Sequence, residues 1–352
     1  MRVKTESVLR ILDANGNRAR EGLRTAEDYI RFTTGEGRWA KRLRALRHRV
    51  TEELERIASA HRLLAARDVR SDSGHPTANA EAHTPRQDRP RDVALRGLKR
   101  GQEAIRVLEE YTRGTHIEAA RRFSETRFAA YEAEQWLALC GDQAARLRDA
   151  RLYVLLTEAR CRLGLEATAR AALRGGAEVL QLREKKLDGG EQVDRARRLR
   201  DVCAEHGALL LVNDRPDVAL MSGADGVHVG QADVKPADVR RVSGERLLVG
   251  RSTHSLLEAR RAIEEEEADY IAVGSMYETR TKEAFEMRGP GLAREVLEQG
   301  WDVPVFAIGG ITAERIPELR SAGVRRVAVS AAVVEAQDPE RAAGMIRKAL
   351  EA

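Results

Sequence analysis

The sequence predicts an α/β protein of two parts: a closed (β/α)8 barrel preceded by an all-α helical domain. Three observations predict it. A chain of 352 residues is long for one core and comfortable for two. From residue 148 onward, short apolar runs alternate with amphipathic stretches, as in a parallel sheet with helical crossovers; residues 1–147 show only helical spacing. The charge divides at nearly the same point. Residues 1–150 carry 30 Lys/Arg against 23 Asp/Glu, or +7, and the remainder carries 31 against 33, or −2.

The helical part begins with "VLRILDANGNRAREGLRTAEDYIRF" and "WAKRLRALRHRVTEELERIASAHRLLAA". Residues 67–92 then break the pattern with three Pro, scattered Ser, Thr, Asn and Gly, and little to bury, which predicts a long loop. Helical spacing resumes through "VALRGLKRGQEAIRVLEEY" and "AARRFSETRFAAYEAEQWLAL". The two helical stretches repeat: residues 17–31 align with 99–113. Arg18 matches Arg100, Glu21 matches Glu103, Arg24 matches Arg106 and Glu27 matches Glu109. A core alone would repeat only the apolar positions. Two readings follow. One is gene duplication with solvated ion pairs, each worth about 0.2–0.5 kcal/mol. The other is a pseudo-symmetric helix pair whose Arg and Glu line one cleft.

The candidate strands are 152–157, 178–183, 208–214, 226–230, 247–252, 270–275, 304–310 and 326–331. Eight such units suit a small closed barrel. An open doubly wound sheet is the alternative, but "TEARCRLG" after the first strand has no GxGxxG.

In such a barrel the carboxyl ends of the strands surround the active site. This explains why the apolar run of "LLVNDR" finishes in Asn213, Asp214 and Arg215: they stand at the mouth. Gln181, Arg183 and Lys185 alternate at the end of strand 2 and face the same way. Asp233 follows strand 4, Ser252, Thr253 and His254 end strand 5, and Thr279, Thr281 and Lys282 follow strand 6. The loops after strands 7 and 8 form the usual phosphate cup, here Gly309, Gly310 and Ser330, with Ser330 opening a helix. Arg183, Lys185 and Lys282 add a second anion site, and Asp214 with Asp233 suits Mg²⁺ bound together with substrate phosphates. Two anionic substrates are implied, one of them a diphosphate. Any single strand-end charge reads more readily as a surface ion pair; six polar strand ends together are harder to dismiss in that way. His228, mid-strand in "GVHVG", reads as a core or wall histidine, while His254 is open to either role.

These residues match a known pattern. "QLREK", "LVNDRPDVAL", "ADGVHVGQAD", "GRSTHS", "YETRTK" and "AIGGI", in that order, resemble the thiamine-phosphate synthase family over essentially all of 151–352. The resemblance implies a TIM barrel that joins hydroxymethylpyrimidine diphosphate to hydroxyethylthiazole phosphate. By position it implies that Arg183, Lys185, Asn213, Ser252 and Lys282 hold the pyrimidine diphosphate, with Gln181 near the ring. Asp214 and Asp233 would hold Mg²⁺. Thr279, Thr281, Gly309, Gly310, Val329 and Ser330 would hold the thiazole phosphate. Ser275 and Glu278 stand where the family has Pro, a departure in the strand-6 loop. The related thiazole tautomerase, with His254 as proton carrier, is the rival reading.

The first half resembles the domain found ahead of such synthases in fused proteins, through "LDANGNRAREGLRTAEDYIRF", "LRALRHRV", "RDVRSDSG" and "RGQEAIRVLEEY". That resemblance implies an ATP-dependent kinase of hydroxymethylpyrimidine phosphate. Arg18, Arg24, Arg100 and Arg106 would bind phosphates, and Glu21, Glu27, Glu103 and Glu109 would bind Mg²⁺ or an amine. No Walker-type loop is present. A dimerisation or regulatory module is the other reading, which would make the protein a homo-oligomer. Nucleic acid is not expected as a partner, because the Arg residues are interleaved with Glu and no aromatic platform accompanies them. Cys140, Cys161 and Cys203 are far apart and suggest neither disulfide nor zinc. The start lacks a signal-peptide pattern and no window approaches the about 18 apolar residues of a membrane span, so a cytoplasmic location is expected.

Overall fold

A computed structural model describes residues 5–67, 89–278 and 288–352. It divides into two compact units, 1–138 and 139–352. The break falls ahead of the 147/148 boundary expected from sequence, because the helix Gly141–Asp149 belongs with the barrel.

The first unit is all-α, as expected. Helix α1 (Thr5–Tyr29) runs into a π-helical turn, Ile30–Thr34, closed by Gly35 at φ 68°. Then come α2 (Gly37–Ile57), α3 (Ala60–Ala65), α4 (Pro90–Thr112, with Pro at its start) and α5 (Ile117–Leu139). Helix α4 therefore begins inside the expected 67–92 loop; residues 68–88 of that loop lie outside the described residues. At the loop's near end, Arg67 donates to both Asp13 oxygens, Nε to Oδ2 at 2.7 Å and Nη2 to Oδ1 at 2.9 Å.

The repeated helices α1 and α4 meet where side chains are absent. A Cβ on Gly22 would lie 2.4 Å from the Gly97 carbonyl oxygen, and one on Gly97 would lie 2.9 Å from the Gly22 oxygen. Each repeat also buries one glutamate. Glu27 accepts from Arg44 Nε at 2.9 Å and Arg47 Nε at 3.1 Å, both on α2. Glu109 accepts from Arg127 Nε on α5 at 3.0 Å, from Arg106 on its own helix and from Arg113, which caps that helix. Burial works against the Glu109 charge, but these three guanidinium groups hold its carboxyl below the ordinary range.

The second unit is a closed eight-stranded parallel barrel, which excludes the open-sheet alternative. Helix α6 (Gly141–Asp149) leads into it, and Arg146 Nη2 donates to the Gly207 carbonyl at 2.5 Å. The strands are β1 (Leu152–Leu156), β2 (Val179–Leu182), β3 (Leu209–Asn213), β4 (Gly226–Val229), β5 (Leu248–Thr253), β6 (Tyr270–Val273), β7 (Val305–Ile308) and β8 (Val327–Val329). Between them run α7 (Leu165–Arg174), α8 (Gly189–Glu205), α9 (Pro216–Ser222), α10 (Pro236–Ser243), α11 (Leu256–Glu264), α12 (Gly289–Glu298) and α13 (Ile316–Ser321). After β8 come α14 (Ala331–Val334) and α15 (Pro339–Glu351).

Strand periodicity sorts the side chains into two layers. Leu180, Leu182, Leu210, Val212, Val227, Val229, Ile271 and Val273 pack outward against the helices. The alternate positions fill the barrel. There Tyr153 (β1), Tyr270 (β6) and Phe306 (β7) pack edge to face, with ring centroids 5.5–6.2 Å apart. Tyr270 crosses the lumen directly over Gly250 on β5: a Cβ there would lie 2.0 Å from Tyr270 Cζ. All three cysteines are free and buried, and burial pushes the Cys140 and Cys203 thiols up to about 12.

Gly250→Ala is therefore expected to overpack the lumen and lower unfolding free energy by about 1–3 kcal/mol, read by urea denaturation.

Candidate active site

A cavity of about 330 Å³ opens at the carboxyl ends of the strands. Among the residues bordering it are Gln181, Arg183, Lys185, Asn213, Asp214, Asp233, Ser252, Gly309, Gly310, Val329 and Ser330. The predicted barrel residues that are described thus come together at one mouth, except Arg215, which opens the helix after β3 and pairs with Asp217 instead of bordering the cavity. Thr279, Thr281 and Lys282 lie outside the described residues.

On one side, the alternation of β2 carries Gln181, Arg183 and Lys185 to the same rim. Arg183 continues the strand ladder, its N–H donating to the Leu156 carbonyl at 2.8 Å. Burial lowers the Arg183 pKa, partly offset by Asp214. A guanidinium still carries its charge, so a half-buried cation faces the cavity. Lys185 Nζ lies 3.2 Å from Asp214 Oδ2. Asp214 takes a left-handed backbone, φ 61°, directly after β3, and its N–H donates to the His228 carbonyl at 2.8 Å. That turn brings its carboxylate against Asp233, whose Oδ2 accepts from the Gly230 N–H at 2.9 Å. Burial and the neighbouring Asp233 carboxylate raise the Asp214 pKa, and Lys185 only partly counters them.

On the other side lies the turn after β7. Gly309 (φ 108°) and Gly310 (φ 61°) hold backbone conformations that favour glycine. Side chains there would also strike the strand-6 loop: a Cβ on Gly310 would lie 2.3 Å from the Glu278 oxygen. Ser330 Oγ donates to the Leu155 carbonyl at 3.1 Å, and the helix it opens, α14, is only four residues long. Val329 borders the cavity while its side chain belongs to the helix-facing core, so it offers backbone.

His228 is a wall histidine, as expected: Nδ1 meets Tyr270 OH and Nε2 meets Ser252 Oγ, each at 2.9 Å. His254 borders the cavity with Nδ1 donating to the Gly274 carbonyl at 2.6 Å.

Among the cavity-lining residues that sequence reasoning missed are Tyr153, Arg160, Arg315 and Glu335. Arg160 pairs with Glu335 at 2.6 Å. Arg315 donates to the Gly310 carbonyl and lies 4.5 Å from the Tyr277 ring centroid, bringing a cation to the Gly309–Gly310 turn. Its signal was the position five residues after the GG pair.

The helical unit distributes its eight candidates unevenly. Arg18, Glu21, Arg24, Arg100, Glu103 and Arg106 are exposed, with Arg24 paired to Asp28 and Arg106 to Glu109 and Glu110. Glu27 and Glu109 are buried in ion pairs. Burial thus separates these two from the exposed six, and each repeat buries the same carboxylate.

Fold and site together define a (β/α)8 barrel with paired carboxylates and cationic side chains gathered at one mouth. The family described as thiamine monophosphate synthase matches residues 152–333, and the ThiD2 family matches residues 10–136. A thiamine-phosphate synthase from Gloeobacter violaceus is 41% identical over 343 residues, covering 96% of each chain. One from a Nostoc species is 39% identical, covering 94% of this chain and 91% of its own. A solved thiamine phosphate pyrophosphorylase from Pyrococcus furiosus is 35% identical, with a TM-score of 0.53, over 58% of this chain and 97% of that one. The chain therefore belongs to the thiamine-phosphate synthase family and is a transferase. No described helix is long and apolar enough to cross a membrane.

Asp214→Asn is expected to stabilise the ligand-free chain at pH 7–8, because a carboxyl whose pKa is raised by folding opposes folding once ionised. The gain should vanish as pH falls below the ordinary carboxylate range, where both forms are neutral. Melting curves across pH 3–8 read it.

Proposed function

We propose that the barrel joins hydroxymethylpyrimidine diphosphate to hydroxyethylthiazole phosphate, releasing pyrophosphate. The observation that carries this reading is the meeting of Asp214, Asp233, Arg183 and Lys185 on one rim, across a cavity from the Gly309–Gly310 turn. One rim suits a diphosphate and the other a monophosphate.

The bond between the pyrimidine methylene and the diphosphate oxygen breaks, and both electrons leave with oxygen. The electron-rich aminopyrimidine spreads the positive charge left on carbon, and the thiazole nitrogen lone pair closes the new C–N bond. No strong side-chain base is needed. The protein's task is to meet charge where it develops, usually the largest catalytic contribution. In this reading Arg183, Lys185, Asn213, Ser252 and Lys282 hold the diphosphate, and Gln181 meets the ring. The Gly309–Gly310 turn, Ser330, the Val329 backbone, Thr279 and Thr281 hold the thiazole phosphate, with Arg315 adding positive charge. Anchoring both substrates by phosphate sets the reacting atoms side by side.

The donor set fits Mg²⁺. Two carboxylates lie together, their mutual repulsion raises a pKa, and both oxygens are of the hard type this ion takes. Asp214 and Asp233 would hold it, and when bound it would neutralise charge on the departing pyrophosphate.

Lys185→Ala and Asp214→Ala should each lower coupling of the two purified substrates at least about 100-fold while leaving the melting profile cooperative. Near-normal turnover in both would remove the assigned roles. In the rival tautomerase reading His254 carries the proton; His254→Ala should then abolish activity while Lys185→Ala spares it.

For the helical unit we propose ATP-dependent phosphorylation of hydroxymethylpyrimidine phosphate, supported by the ThiD2-family match. The exposed Arg18, Arg100, Glu21 and Glu103 remain its ligand candidates. The full chain carrying Lys185→Ala, given that substrate, Mg²⁺ and ATP, should form ADP and the diphosphate. Absence of ADP would favour the dimerisation or regulatory reading.

A further inference from the structure

We propose that the amino end of the barrel holds a second ligand site, for a small organic oxyanion. There an external carboxylate or phosphate supplies the negative group that the fold places at three equivalent positions and replaces with Arg326 at the fourth. The inference does not depend on the reaction proposed above.

Three of the four even-numbered strands are entered by an acid. Glu178 immediately precedes β2, Asp225 precedes β4 and Asp269 precedes β6. Each carboxylate accepts an N–H from the start of the odd-numbered strand beside it: Glu178 Oε2 from Leu152 at 3.1 Å, Asp225 Oδ2 from Leu210 at 2.8 Å, and Asp269 Oδ2 from Val249 at 2.7 Å. Each acid's own N–H donates back to the same residue's carbonyl. The fourth position, immediately before β8, holds Arg326. A guanidinium has five donors and no acceptor, so it cannot close the same ring. At that place, beside the start of β7, a cavity of about 200 Å³ opens.

Arg326, Arg148 and Asp302 border this cavity, and Leu297, Trp301 and Val305 give it an apolar wall. Arg148 is paired with Asp302. Arg326 Nη2 donates to the Arg148 carbonyl at 2.6 Å, and its Nε is buried without a partner. No carboxylate among the described residues lies within ion-pair distance of Arg326, so two guanidinium groups share one carboxylate. Burial lowers the Arg326 pKa and the neighbouring Arg148 and Arg151 lower it further, which Asp149 and Glu178 offset in part. A guanidinium keeps its proton all the same. The barrel thus holds a part-buried positive charge whose counter-charge is missing, an arrangement that a ligand relieves by bringing one. An oxyanion matches it, because the planar fork of arginine takes two oxygens of a carboxylate or phosphate at once. Trp301, anchored by donating Nε1 to Glu264 at 2.9 Å, offers its ring to the ligand's apolar part.

Trp301 reports on the site, because the other two tryptophans, Trp39 and Trp136, lie in the helical unit. Its indole N–H signal, assigned with Trp301→Phe, can be followed in ¹⁵N spectra of the full chain titrated with phenyl phosphate, benzoate and inorganic phosphate. A saturable shift is expected with phenyl phosphate or benzoate, whichever carries the preferred head group, and weaker binding with inorganic phosphate. Arg326→Gln should weaken the binding at least about tenfold, the loss of one charge-assisted contact. Asp302→Asn should tighten it, since it removes a carboxylate from the cavity and frees Arg148. Lys185→Ala, at the carboxyl ends of the strands, should leave it unchanged. No saturable shift with any of the three anions would overturn the site. So would tightest binding of inorganic phosphate, an affinity untouched by Arg326→Gln, or binding lost in Lys185→Ala. Should Arg326→Gln fail to fold, Asp302→Asn carries the test, because the Asp302 side chain is half-exposed; unchanged or weaker binding in that variant would overturn the proposal.

Discussion

A polar side chain inside an eight-stranded barrel has no water to turn to, so it must find its partner across the lumen. Gln181, Tyr153, Tyr270, His228 and Ser252 satisfy this together, and much of the interior is arranged around them. Tyr270 reaches His228 only because Gly250 leaves room for its ring. Phe306 then fills the remaining side of the two tyrosines.

The rim obeys the opposite logic. There the barrel collects charges that do not satisfy one another. Asp214 and Asp233 repel, Lys185 compensates only in part, and Arg183 is half-buried. The fold has to hold such an arrangement in place. Arg251 does this below Asp233: its Nη1 donates to the Gly230 carbonyl at 2.6 Å, and its Nε lies 2.9 Å from the part-buried Glu266. The Gly230 N–H meanwhile holds the Asp233 carboxylate. A site stabilised in this way is costly when empty and is relieved by ligands of complementary charge.

How much of this was legible depended on whether a residue's place followed from a period. The eight strands lay within a residue or two of the apolar runs, and the alternation Gln181, Arg183, Lys185 correctly sent all three to one rim. Asp214 and Asp233 followed from strand ends alone. Arg160 and Arg315 did not, because they sit in short 3-10 turns after β1 and β7, where no period fixes which way a side chain points. Tyr153 was hidden in a uniformly apolar run. The domain boundary was displaced because α6 is amphipathic like the helices before it, and only tertiary packing assigns it to the barrel.

The helical repeat shows the limit of charge pattern as a guide. Identical Arg and Glu at matched positions invite a single functional explanation, yet the structure separates them by burial. Glu27 and Glu109 are interior, each neutralised by guanidinium groups that include one or two from the following helix. Removing such a carboxylate would strand those cations, so a duplicated fold retains it in both copies whatever either copy binds. The exposed members of the repeat carry no such constraint. Glu21 with Glu103, and Arg18 with Arg100, therefore repeat without a packing reason, and any function inherited by both copies is better sought there than among the buried pair.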